Sequence, residues 1–170
     1  MEKPKEELLH LSFNQDQSYL SVGTETGFKV FKCSPFKELF AREFGSGIGI
    51  VEMINRTNIL AIVGGGKTPR YPRNKLMIWD DCTFVANAAI MKCIIETNCK
   101  REVKAVRLKP DRCIIVLETK VFVFNFADFK VLDLLETCPN PKGLCSVASD
   151  THVLMLALPS KKIGVVEITT

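Results

Sequence analysis

The sequence predicts an all-β chain organised as blades of a β-propeller, about four of them, with the ring left incomplete. Three observations carry this. A strand–turn–strand–turn–strand pattern is written four times along the chain. The first-turn positions Asp16, Arg56, Pro110 and Ser149 are separated by 40, 54 and 39 residues, and periods near forty with several strands each suit propeller blades. A further apolar segment lies between successive copies, in the place of a fourth strand.

Each element can be read in order. Residues 1–7, Met1-Glu2-Lys3-Pro4-Lys5-Glu6-Glu7, form a charged tail without a hydrophobic signal region. The partial propeller takes 8–170. Blade 1 spans about 8–45: an alternating run (Leu9, Leu11, Phe13), the turn Asn14-Gln15-Asp16-Gln17, Tyr19 to Val22, the turn 23–27, then Phe28 to Phe31. Blade 2 spans about 48–97, with Ile50 to Met53, Ile59 to Val63, a longer loop, and Leu76 to Trp79. Blade 3, about 101–137, offers Glu102 to Leu108, Cys113 to Leu117 and Val121 to Phe124. Partial blade 4, about 140–170, offers Gly143 to Val147, His152 to Leu158 and Ile163 to Ile168. The candidate fourth strands are Glu38 to Phe44, Met91 to Glu96 and Val131 to Glu136. Alanines at 86, 88 and 89 give Phe84 to Ile95 a helical alternative, but position in the repeat favours a strand at Met91 to Ile95. No outer strand follows the fourth copy, so an apolar flank and strand edges are expected to lie uncovered, with marginal stability for the chain by itself.

Composition narrows the function classes. The net charge of +4 is dispersed and gives no clustered basic stripe, so a nucleic-acid partner is not expected. Seven cysteines, none in a CxxC pair, match neither a metal site nor a disulfide framework. Cys93 and Cys113 sit in apolar runs, where cysteine acts as a small hydrophobe, and the pattern suits a reduced, cytoplasmic protein. No apolar run is long enough to cross a bilayer.

Catalytic motifs fare poorly. Val63-Gly64-Gly65-Gly66-Lys67-Thr68 has the ending of a phosphate loop, but Ala61 stands where the first glycine belongs. The Pro-rich run that follows is no helix N-terminus; the glycines suit a tight turn with positive φ. A hydrolase or transferase needs a nucleophile, a base and a positioning group; His10 and His152, the two histidines, fall in apolar strands and read as packed core or edge residues. Asp80-Asp81 after Trp79 reads as a strand end whose carboxylates bond local backbone amides. The aromatic residues follow strand periodicity and belong to blade packing. No catalytic, cofactor or metal residue is expected, and nucleotide-dependent thermal stabilisation is not anticipated.

Several segments together resemble the PROPPIN family, called WIPI proteins in animals: Phe13-Asn14-Gln15-Asp16, Val63-Gly64-Gly65-Gly66, Met77-Ile78-Trp79-Asp80-Asp81, Val103-Lys104-Ala105-Val106-Arg107-Leu108, Asp111-Arg112 and Asn140-Pro141-Lys142-Gly143-Leu144-Cys145. The likeness runs in order from about Leu8 to Leu158. It departs from the family in the long stretch Cys82 to Lys100, whose opening Cys82-Thr83-Phe84-Val85 carries less charge than the family's. The resemblance implies a seven-bladed propeller that binds phosphatidylinositol 3-phosphate and phosphatidylinositol 3,5-bisphosphate, peripheral to autophagosome-forming or endosomal membranes, and monomeric when the ring is complete. The family's lipid motif is an arginine pair in a later blade; these residues contain no Arg-Arg, so no lipid-binding residue is carried over, and membranes would be reached only through blades absent here.

What the resemblance places in this half is protein binding. The loop after the glycine run, with Lys67, Pro69, Arg70, Tyr71, Pro72 and Arg73, looks like the one that holds the lipid-transfer protein of autophagosome growth. Its prolines limit the entropy lost on docking, and Tyr and Arg are common interface anchors; the plain alternative is a solvated hairpin loop. Arg112 and Lys130 look similar to the basic residues that take an acidic peptide of a conjugation-machinery adaptor, in a groove between the second and third blades. The expected function is thus an autophagy scaffold carrying the partner-binding half, the alternative a shortened interaction module without lipid binding.

Overall fold

A computed structural model describes residues 7–81, 92–148 and 153–170. Among them are fifteen strands and no helix. The first sheet orders β1 (Leu8–Phe13), β2 (Tyr19–Thr24), β3 (Gly27–Lys32) and β4 (Lys37–Glu43) side by side. The second orders β5 (Ile48–Met53), β6 (Ile59–Gly64), β7 (Lys75–Asp80) and β8 (Lys92–Asn98). The third holds β9 (Ala105–Leu108), β10 (Arg112–Val116), β11 (Lys120–Asn125) and β12 (Val131–Glu136). The fourth has three strands, β13 (Ser146–Val147), β14 (Leu156–Pro159) and β15 (Val166–Thr169). Every neighbouring pair is antiparallel. These are four propeller-type blades, and the chain divides after the second into two compact units, Met1–Asn98 and Cys99–Thr170.

The repeat extends to irregularities. In each four-stranded blade the pairing of third and fourth strands slips once, at Val30/Phe31, Ile78/Trp79 and Val123/Phe124. A bulge at one place per blade adds twist there and re-aims the outer strand.

The first unit is sealed by Phe28 and Val30 of β3 meeting Val51, Met53, Leu60, Ile62, Met77 and Trp79 of the second blade. Each of these is at most 7% exposed; burying side chains of this size stabilises by about 1.5–3 kcal/mol apiece. Polar ties run alongside. The Val51 N–H donates to His10 Nδ1 (3.2 Å), Ser12 Oγ donates to Glu52 (2.9 Å) and Ser21 Oγ to the Val51 carbonyl (2.8 Å). His10 is therefore an acceptor at a packed strand. In the second unit Ile114, Val116, Val121 and Val123 pack with Cys145, Leu156 and Leu158. Exposed apolar residues lie on β1 (Leu8, Leu11, Phe13) and along the last hairpin (Ile163, Val165, Val166, Ile168).

Several expectations are corrected. β9 starts at Ala105, three residues later than read, and β13 is only Ser146–Val147. The cause of the latter is Asn140, whose side chain donates to the Leu144 carbonyl (2.9 Å) and accepts the Leu144 N–H (2.8 Å). That holds residues 140–144 as a turn, with Gly143 at φ 64° against the Lys104 backbone. Cys93 is exposed, not buried, because β8 is an outer strand with one open face; Cys113 is buried. The Asp80 and Asp81 side chains take side-chain donors, Asn58 and Arg42 respectively. Met91, His152, Ser149, the tail 1–6 and most of Cys82 to Lys100, including residues 84–91 of the helical alternative, lie outside the described residues.

Candidate protein-binding loops

The segment joining β6 to β7 does not stand away from its blade. It folds back over the glycines. A Cβ on Gly64 would lie 1.7 Å from the Tyr71 carbonyl oxygen, and Gly65 and Gly49 approach so closely that neither position has room for one. The returning strand is fixed by main-chain bonds to Gly47: its N–H donates to the Thr68 carbonyl (2.7 Å), and its carbonyl accepts the N–H groups of Arg70 (2.9 Å) and Gly65 (3.2 Å). Gly66 turns at φ 77°, a conformation that suits glycine. The Glu25 carboxylate occupies the space beside it and accepts the Lys67 N–H (2.9 and 3.1 Å).

This geometry sorts the side chains. Tyr71 is half-buried, its ring 6.5 Å from that of Trp79, which also meets Phe44 at 5.8 Å. It anchors the loop to the core. Lys67 Nζ pairs with Glu7 (2.9 Å), and that carboxylate raises the lysine's pKa above its ordinary value. Arg73 turns a guanidinium N–H back to the Gly66 carbonyl (2.7 Å). Arg70 lies over two rings, 5.4 Å from the centroid of Phe44 and 5.8 Å from that of Tyr71. Pro69, Arg70, Pro72 and Arg73 are all exposed.

Arg112 and Lys130 come together at one end of the third blade. Arg112 pairs in register with Asn125, whose N–H donates to the Lys130 carbonyl (2.9 Å), and the Phe126 N–H donates to Asp111 (3.0 Å). Each cation has a neighbouring acid: Asp111 for Arg112 (2.9 Å) and Asp128 for Lys130 (3.2 Å). The Lys130 N–H holds the Asp128 carboxyl below its ordinary pKa. Arg112 also borders a cleft of about 210 Å³ with Asp133, Leu154 and Leu156. Among the described residues no group of His, Cys, Asp and Glu is arranged to hold a metal ion.

Reading the loop from composition missed its supports. Glu25, Gly47 and Phe44 lie in other turns and strands, and no local pattern connects them to residues 64–73. One signal was present: glycines at 45, 47 and 49 and at 64–66 are what two backbones in close approach require.

Comparison with known proteins agrees with the fold. The PROPPIN family model matches residues 7–168. SVP1-like protein 2 of Schizosaccharomyces pombe is 33% identical over 159 residues, covering 93% of this chain and 42% of that protein. Autophagy-related protein 18e of Arabidopsis thaliana is 35% identical over 164 residues, covering 95% and 42%. The chain thus spans less than half the length of these curated relatives. Among solved structures, Kluyvelomyces marxianus Hsv2 superposes with a TM-score of 0.78 at 22% identity, over 97% of this chain and 48% of that one. A complex of KlAtg21 with the coiled coil of AgAtg16 gives 0.72 at 24%, over 95% and 51%.

Proposed function

Because the chain belongs to the PROPPIN family, matching it across nearly all of its length, we propose that it is a non-catalytic autophagy scaffold whose second-blade loop, residues 67–73, receives a protein partner. The partner the family resemblance implies is the lipid-transfer protein of autophagosome growth. The observation that carries the reading is the fixed loop itself. Exposed Pro69, Arg70, Pro72 and Arg73 are displayed on a backbone already bonded to Gly47, so little conformational entropy is lost on docking. Phosphoinositide binding is assigned to no residue of this chain, since the sequence holds no arginine pair; the membrane link belongs to the wider family propeller.

The test is a pull-down of that lipid-transfer protein with Arg70→Glu/Arg73→Glu, beside a variant whose residues 67–73 are replaced by Gly and Ser. Loss of capture by both variants is the expected result, with an unchanged melting profile for Arg70→Glu/Arg73→Glu, whose side chains lie on the exposed side of the loop. Undiminished capture by both variants removes the assignment.

The Arg112 and Lys130 end of the third blade is proposed as a second protein site, for an acidic helical segment. Its support is the convergence of the two turns, and a fold neighbour, KlAtg21, that was solved with a coiled coil. Arg112→Glu/Lys130→Glu should weaken an adaptor of the conjugation machinery while leaving the loop's partner bound.

A further inference from the structure

The three cations of the second-blade loop are not equivalent. The Lys67 ammonium is held by Glu7, and its backbone N–H by Glu25. The Arg73 guanidinium is turned onto the Gly66 carbonyl. Arg70 differs from both. Its backbone is fixed by the bond to Gly47 and its guanidinium rests on Phe44 and Tyr71. It makes no ion pair with a carboxylate among the described residues, and it is exposed.

A guanidinium stacked on aromatic faces keeps its N–H donors at the rim of the plane, where they match the two oxygens of a carboxylate. Stacking also removes much of the rotamer freedom that makes an ordinary surface ion pair worth little. We infer that Arg70 is the docking point of this loop for a carboxylate side chain of an acidic protein segment, with Pro69 and Pro72 giving the apolar shoulders. This rests on reading the loop as a protein-binding site.

The neighbouring charges favour a carboxylate over a phosphorylated lipid headgroup. A phosphate near −2 is held well by several converging cations. Here the Lys67 ammonium is paired with Glu7, and two carboxylates, Glu7 and Glu25, stand on the loop's other end. A single negative charge meeting one planar fork needs no further cation.

The experiment uses fluorescence anisotropy with the chain and a panel of synthetic 12-residue peptides carrying Asp or Glu among leucines, each matched by a peptide with Asn or Gln instead. At least one acidic peptide is expected to bind about tenfold tighter than its amide match, one fork-to-carboxylate pair's worth. Arg70→Gln should erase that ratio and Arg70→Lys should keep only part of it, because lysine supplies charge without the planar fork. Unshifted Trp79 emission shows that the loop remains folded in each variant, since Tyr71 and Phe44 pack on the chain's one tryptophan. Equal binding of acidic and amide peptides, no binding of any acidic peptide, or an unchanged ratio in Arg70→Gln overturns the inference. So does Arg70-dependent binding to phosphatidylinositol 3-phosphate vesicles in place of peptide. If the Gly-Ser loop loses the protein partner while Arg70→Gln keeps the ratio, only this inference fails; if the Gly-Ser loop keeps the partner, the loop reading fails with it.

Discussion

Removing Arg42 should make the stability of the first unit depend steeply on pH. Arg42 reaches from β4 to the end of the second blade and grips Asp81 through Nε and Nη2 (2.9 and 2.8 Å); the Asp81 side chain is 2% exposed. Even with this partner, burial pushes the Asp81 pKa above its ordinary 3.8, outweighing the guanidinium that lowers it. In Arg42→Ala the carboxylate has no such partner, and the least costly response is to take a proton. Keeping a carboxyl of ordinary pKa 3.8 neutral costs 1.36 kcal/mol per pH unit above that value. The ceiling on this cost is therefore about 4 kcal/mol at pH 7 and about 1.6 kcal/mol at pH 5, in the range found when one member of a buried pair is removed. The sign follows from the raised value: the folded form binds more protons, so stability is greatest at low pH and declines as pH rises through the folded pKa. Urea unfolding followed by Trp79 emission reports on this unit directly, because Trp79 lies in its core. Arg42→Leu/Asp81→Leu should recover most of the loss. A pH-independent loss, or one below about 1 kcal/mol at pH 7, would refute the argument.

Gly64→Ala places a methyl carbon against the Tyr71 carbonyl, where 1.7 Å is available; a loss of about 1–3 kcal/mol, a red shift of Trp79 emission and loss of the loop's protein partner are expected together, and wild-type emission would contradict them. The carboxyls of Asp16, held by Ser18 and Arg56, and of Asp128, held chiefly by the Lys130 N–H, titrate below 3.8. Their contribution is present above that value and is lost on acidification through the lower folded values, so amide exchange at Ser18 and Lys130 should quicken selectively as pH falls through those folded values; uniform exchange across both units would count against it. Cys113 is buried, and burial raises its thiol pKa far out of the reactive range. Iodoacetamide should therefore label exposed Cys93 in the folded chain and Cys113 only after unfolding, as read by mass spectrometry of the digest.

The blades were legible in the sequence because a strand in a packed sheet writes its period directly: Val121 to Phe124 and Ile59 to Val63 lie within β11 and β6. What stayed hidden depended on partners distant in the chain. Arg42 and Asp81 are 39 residues apart and Glu25 and Lys67 are 42 apart, and nothing local announces either pair. Cys93 reads like Cys113 in its apolar run, yet one lies on an outer strand and the other on an inner one, a difference set by order in the sheet and not by periodicity. Tyr71 sits among prolines and arginines and reads as an interface anchor on the loop surface. Only the reversal over Gly64 brings it to Trp79. The composition of the loop drew attention to its side chains and said nothing of its floor.

Floor and surface of the loop respond differently to substitution. The floor is made of main-chain bonds and glycines: Gly47, Gly49, Gly64 and Gly65 admit no side chain without moving a backbone. The surface is made of side chains whose removal leaves those bonds in place. Substitution at Pro69, Arg70 or Pro72 should therefore tune partner affinity with almost no change in folding, since exposed positions away from such constraints usually shift stability by less than about 0.5 kcal/mol. Substitution in the floor cannot tune anything, because it displaces the loop as a whole and loses affinity and stability together. As the proposed docking site, a platform built this way would gain its affinity from preorganisation and would require the partner to conform to the loop. On the proposed reading, partner specificity would reside in the few groups displayed on top, among them the Arg70 guanidinium held over Phe44 and Tyr71.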